Sequence, residues 1–162
     1  KHFLLHYSTP PLEFENVAGG APGSMWIVAP KHSLFFAGDT IVVDEPALLE
    51  RTPDSKAWLN TLSTLARRTT IRHIVPGRGK SPIQHSDIET QREFMRVMRR
   101  TARTLAGRNN FRLSQCAQDL GQAFYNAQGQ KAVRRIRAGL EHLVAEIHQT
   151  KATPGEEGEN SE

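Results

Sequence analysis

Two continuous apolar runs constrain this chain more than any other feature. Met25-Trp26-Ile27-Val28-Ala29 and Leu34-Phe35-Phe36-Ala37-Gly38 bracket the turn residues Pro30-Lys31-His32-Ser33. Runs of this kind predict a hairpin whose strands are buried on both faces. Such strands require helices laid over the sheet, and the downstream sequence supplies them. After Thr52-Pro53-Asp54, a cap with a first-turn proline, Trp58, Leu59, Leu62, Leu65 and Ala66 recur at helical spacing, which predicts a helix over 54–67.

The remaining elements follow by period. Leu12-Glu13-Phe14-Glu15-Asn16-Val17 alternates at period two and runs into the breaker Gly19-Gly20-Ala21-Pro22-Gly23, a short strand and a loop. Ile71-Arg72-His73-Ile74-Val75 reads as a strand stopped by Pro76-Gly77. From about Asp87 to Ala106, Phe94, Met98, Ala102 and Leu105 form an apolar stripe opposite Arg92, Arg96, Arg99 and Arg103. Leu113, Ala117, Leu120 and Phe124 mark a third helix, and Val133, Ile136, Leu140, Leu143 and Ile147 a fourth. Strands, then a βα alternation, then helices, make a layered mixed α/β fold.

With 162 residues and 38% apolar content, the chain is sized for one domain, assigned to 1–150. The acidic segment 151–162, with four Glu after Pro154, reads as a disordered tail. The lone Cys116 excludes an internal disulfide framework and a thiolate zinc site, and points to a reducing, cytoplasmic setting. No run approaches a membrane span, and the start lacks the order of a signal peptide. The first residue is Lys1 rather than Met, so the chain is expected either to begin partway through a longer product or to be trimmed at its start.

Three loops are candidates for chemistry. Gly19-Gly20-Ala21-Pro22-Gly23-Ser24 precedes an apolar strand without the helix or Lys-Ser/Thr pair of a phosphate loop, so it reads first as a structural turn. Gly38-Asp39-Thr40 ends the second apolar run. A carboxylate leaving a buried strand needs a cation or hydrogen bonds, which makes Asp39 the foremost single candidate, the alternative being a cap of the next turn. His73-Ile74-Val75-Pro76-Gly77-Arg78-Gly79-Lys80 carries two cations at a glycine-flanked tip; Arg78 could clamp an anion or pair with Asp39 across the sheet end, and His73 is expected to be packed in its strand.

In order, Ala-Pro-Gly-Ser at 21–24, a hairpin, Leu-Phe-Phe-Ala-Gly-Asp-Thr at 34–40, a Trp-Leu helix near 58 and Ile-Val-Pro-Gly-Arg-Gly at 74–79 resemble the C-terminal half of the metallo-β-lactamase superfamily. The resemblance runs from about Leu12 to Leu105. It implies an αββα layered fold, represented here by its C-terminal half with extra C-terminal helices. It also implies a metal-dependent hydrolase in which zinc, iron or manganese activates water against a small-molecule substrate. Asp39 is the metal ligand that carries over, with Ala21, Ser24, Thr40 and Arg78 lining the site. The family's first histidine here falls on Ala21 and its last on Arg78, and the His-x-His-x-Asp-His motif is absent from this chain.

Alanine cannot coordinate, and a guanidinium stays protonated. Two readings follow. In one, an upstream half supplies ligands and one metal is held. In the other, the fold persists without the chemistry, as a binding or scaffolding module with no metal. In a metal-free site Arg78 is expected to neutralise Asp39 by an ion pair. A single half also predicts an open sheet face, to be met by a missing N-terminal half, a second copy or a compact variant of the fold. No catalytic residue is assigned, and His85 is the one histidine near enough in sequence to replace a ligand.

A different class of function is raised by Arg67, Arg68, Arg72, Arg92, Arg96, Arg99, Arg100, Arg103, Arg108 and Arg112, since residues 67–112 hold 12 Lys+Arg against 3 Asp+Glu. Without interleaved aromatics or a recognition motif, this stripe reads as a solvated helix face rather than a nucleic-acid surface.

Overall fold

A computed structural model describes residues 1–7, 9–68, 73–106, 112–126 and 130–152. Strands β1 (His2–Leu5), β2 (Leu12–Asn16), β3 (Met25–Ala29), β4 (Leu34–Val42) and β5 (His73–Arg78) form one sheet in chain order. The first four are antiparallel neighbours, whereas β5 joins β4 in parallel. A parallel neighbour cannot be reached by a tight turn, and the crossover carries helix α1 (Ser55–Ala66). Helices α2 (His85–Leu105), α3 (Leu113–Tyr125) and α4 (Gln130–Ala152) follow. The mixed α/β class read from the periodicities is the class observed.

Several boundaries move for identifiable reasons. Asp54, rather than Thr52, caps α1, its Oδ1 accepting from the Ala57 amide at 2.8 Å. Helix α2 starts two residues before Asp87, where Gln84 and Asp87 exchange capping bonds reciprocally. Strand β5 continues through Pro76-Gly77 to Arg78, against the expectation that it stops there. It is a sheet edge in contact with β4 alone, so the N–H that Pro76 lacks is not required, and the register slips between Gly38 and Val42 of β4. Strand β1 was not anticipated. Helix α4 runs to Ala152, past the expected tail boundary at 151. Residues 153–162, and Ile71, Arg72 and Arg108 of the readings above, lie outside the described residues.

The hairpin strands are not buried on both faces. One sheet face, carrying Trp26, Phe35 and Ile74, packs under the helices with Trp58, Leu62, Leu65, Phe94, Met95 and Met98. The opposite face carries a registered row, Phe3, Phe14, Ile27, Phe36 and Val75, one residue from each strand. Phe3 stacks on Phe14 at 4.5 Å between ring centroids, yet Phe3 is 50% and Phe36 40% exposed. A continuous apolar run does not reveal by itself whether its second face is covered. Among the described residues there is one sheet with helices on one face, so the second sheet of an αββα sandwich is not seen. Among them, too, no helix is long and apolar enough to cross a membrane.

Buried hydrogen bonds lock the helices to β4. Thr40 is 0% exposed; its Oγ1 donates to the Ala37 carbonyl and accepts from Trp26 Nε1 at 2.8 Å. Its carbonyl accepts from Trp58 Nε1 of α1 at 3.0 Å and from Gln91 Nε2 of α2 at 2.9 Å. Gln91 Oε1 in turn accepts from the Val42 amide at 2.8 Å. Helix α4 is tied on by Arg135 to Glu45 at 2.7 Å, by Arg99 of α2 to Glu146 at 3.2 Å, and by a His142 contact with the Thr52 carbonyl at 2.7 Å.

Replacing Gln91 by Ala leaves the buried Val42 amide unsatisfied, so Gln91→Ala is expected to cost about 2–4 kcal/mol in urea unfolding. The Arg135 hydrogen bond holds the Glu45 carboxyl below its ordinary value of 4.5. A lowered carboxyl contributes stability above its unfolded pKa and loses it as pH falls through the folded one. Glu45→Gln should therefore destabilise by about 1 kcal/mol or less near neutral pH, Glu45 being part-exposed, with the difference closing in acid.

Candidate functional site

Parallel pairing of β4 with β5 brings two of the three candidate loops to one end of the sheet, because Gly38 lies opposite Pro76 and Val42 opposite Arg78. The third, between β2 and β3, folds over the same end. It is secured at both sides: Thr52 Oγ1 donates to the Gly19 carbonyl at 2.8 Å, and the Val17 amide donates to the Ser24 carbonyl at 3.0 Å. A Cβ at Gly20 would stand 3.4 Å from the Asp39 carbonyl oxygen, so this loop rests directly on β4.

At this junction Arg78 meets Asp39. Arg78 Nε lies 3.4 Å from Asp39 Oδ1, and Nη2 lies 3.3 Å from Oδ2, a side-on fork engaging both carboxylate oxygens. This is the ion pair expected from the sequence. The two side chains are 38% and 41% exposed, so the pair works in a largely aqueous dielectric and contributes little to stability by itself. Its geometry is set by the backbone. A Cβ on Gly77 would fall 2.4 Å from Asp39 Oδ1 and 2.6 Å from the Asp39 nitrogen, and only glycine permits the two loops to approach so closely. At Gly79, φ is +91° and a Cβ would meet the Val43 carbonyl oxygen at 2.0 Å, so the tip of β5 curls against the end of β4.

The other candidates divide. Ala21 and Ser24 sit in the loop over Asp39, but the Ser24 hydroxyl donates to the Ala21 carbonyl at 2.8 Å, a turn-stabilising role. Thr40 faces the interior, where its polar atoms hold Trp26, Trp58 and Gln91, so it supports the site from below and does not line it. His73 is exposed rather than packed, at the opposite end of β5 where it pairs with Leu34. His85 shares with His73 a cleft of 470 Å³ on that side of the molecule, beside Arg68 and Ile88, and is not brought to Asp39.

The arginine stripe is also divided by the structure. Arg68 lies over the Trp26 ring, 4.9 Å from its centroid, and bonds Glu15; Arg92 bonds Glu89 and Ser63; Arg99 bonds Glu146. These three are structural ties. Arg96, Arg100 and Arg103 remain on the exposed face.

A double mutant of the sec-alkyl sulfatase PisA1, a metallo-β-lactamase-fold enzyme, is a solved structure to which this chain is similar. The TM-score is 0.55 at 14% identity, over 85% of this chain and 24% of the sulfatase chain. The likeness is one of fold. The chain spans about a quarter of the length of that enzyme. No family model matches the sequence. No curated protein matches it either.

The resemblance read from the sequence implies a metal centre, and the described residues at this junction do not fit one. Both Asp39 oxygens are engaged by a permanent cation, Ala21 offers no donor, and among the described residues no three His, Cys, Asp or Glu side chains converge.

Because a methyl group at position 77 would enter the Asp39 carboxylate, Gly77→Ala is expected to destabilise by about 1–3 kcal/mol in chemical unfolding and to part Asp39 from Arg78. A crystal structure of that variant with the fork intact would contradict this account of the junction.

Proposed function

We propose that this chain is a metallo-β-lactamase-like domain in which the Asp39–Arg78 ion pair stands where the family holds metal, and that it serves as a non-catalytic binding or scaffolding module. The observation that carries the reading is the fork of Arg78 on both oxygens of Asp39. A cation at about 3.3 Å supplies the neutralising charge that a metal would otherwise give, and a second cation there would be repelled. Hydrolysis in this family rests on a metal-activated water, and with no donor set for the ion among the described residues no hydrolytic step is assigned to them. The fold likeness to a sulfatase supports the scaffold and says nothing of a substrate.

Metal content decides between the two readings. After loading with zinc or manganese and desalting, the longest native form of the protein is expected to retain no metal by mass spectrometry. The variant carrying Ala21→His and Arg78→His, which returns both family ligand types to the junction, is expected to retain up to about one equivalent that Asp39→Ala removes. Retention of metal by the unaltered protein, lost on Asp39→Ala, would overturn the proposal and make a hydrolase screen the next step.

A further inference from the structure

Helices α1 and α2 run antiparallel: Ser55 of α1 bonds Arg99 of α2, and Ser63, two turns on, bonds Arg92 at 3.1 Å. Between them lies a cleft of 470 Å³ whose polar lining is Lys56, Asn60 and Ser63 on one side and Arg96, Arg100 and Arg103 on the other, with the paired Arg99 at its floor. Each set recurs at i, i+4 and i+7, so each forms one straight ridge about 10 Å long at 1.5 Å per residue. The groove is thus lined with donors along its whole length.

Three of its five cations, Lys56, Arg100 and Arg103, have no acidic partner among the described residues. No carboxylate lines the cleft. Arg99 is neutralised by Glu146 from α4, and Arg96 has only an exposed contact with Glu93 at 3.5 Å. Among the described residues, the side chains of Lys56, Arg100 and Arg103 meet no acidic group and make no hydrogen bond. Arg96 with Arg100, and Arg100 with Arg103, are like charges at adjacent positions on one helix face, an arrangement that destabilises a helix. The helix dipole favours a cation only in the last turn, which accounts for Arg103 and not for the others. The acidic residues of α2 end at Glu93.

From this geometry we propose that the α1–α2 groove is a binding site for an oligophosphate anion, two or more linked phosphoryl groups laid along the cleft. Guanidinium forks and an ammonium match phosphoryl oxygens, and the Asn60 amide adds a neutral donor. The two-turn length suits a chain of phosphates better than a single one. The lining holds no aromatic ring, so there is no platform on which a nucleobase would stack. The proposal does not rest on the metal-free reading of the Asp39 junction, which lies on a different part of the molecule.

Isothermal titration calorimetry of the whole chain at low salt, with sodium tripolyphosphate as the probe, tests it. Tripolyphosphate is expected to bind one to one, more tightly than inorganic phosphate, and to weaken steeply as salt is raised. The double variant Arg100→Gln/Arg103→Gln, at exposed positions and checked for folding by circular dichroism, should bind about a hundredfold more weakly. Arg51→Gln, an exposed arginine outside the groove, should bind as the unaltered chain does. Binding of ATP with the affinity of tripolyphosphate would identify a nucleotide's phosphate tail as one acceptable source, and failure of ATP alone would restrict the source to free oligophosphate. Absence of tripolyphosphate binding, binding unmoved by the double variant, or binding confined to a single-stranded oligothymidylate would each overturn the proposal.

Discussion

The molecule is organised around one buried residue, Thr40. Its hydroxyl closes β4 onto Ala37 and receives the indole N–H of Trp26 from β3, while its carbonyl receives Trp58 from α1 and Gln91 from α2. Four elements meet at two polar atoms. In a low-dielectric interior such bonds are directional and an unmade one is costly, so they set where the helices sit in a way that apolar packing alone would not. Asp39, the next residue along β4, inherits that rigidity. Its side chain emerges from backbone that the core holds from the other side.

Charge is managed locally across this fold. Asp39 at the sheet end is met by Arg78, Glu15 of β2 by Arg68, Glu45 of the β4–α1 connection by Arg135, and Glu146 of α4 by Arg99. Each of these arginines does a structural task that net charge conceals. Once they are set aside, four cations, Lys56, Arg96, Arg100 and Arg103, still share one concave surface, the groove between α1 and α2. A positive chain is not evidence for an anionic partner, whereas a group of cations in a concave surface, three of them without an acidic partner among the described residues, is an argument with a place attached.

Much of this was legible from the residues. Period-two alternation located β2 and period-3.6 spacing all four helices, because each of these elements buries one face and its apolar spacing records that burial, while continuous apolar runs located β3 and β4. The meeting of Asp39 with Arg78 was legible too, through the charge logic of a carboxylate at a strand end. What the pattern could not convey was which face of an apolar strand would be covered. Phe35 and Phe36 are neighbours of the same type, and one is fully buried while the other is 40% exposed. Nor could it convey direction at Thr40, where a hydroxyl beside a site residue looked like part of the site. The signal that would have located it is the nearby Trp26, Trp58 and Gln91, three side chains whose polar atoms need partners when buried. Strand β1 was missed because Phe3-Leu4-Leu5 is a run of only three apolar residues, too short to mark a strand by pattern.

One consequence lies in how far apart along the chain the two junction charges stand. The antiparallel strands β1 to β4 are linked by short connections, whereas β5 reaches β4 only after the crossover with α1 has been placed, and Asp39 and Arg78 are 39 residues apart. Contacts between distant segments form after the intervening loop entropy has been overcome. The ion pair therefore belongs to no local unit and depends on the pairing of β4 with β5. The separation between these two charges is thus a measure of whether that long-range strand pairing is closed.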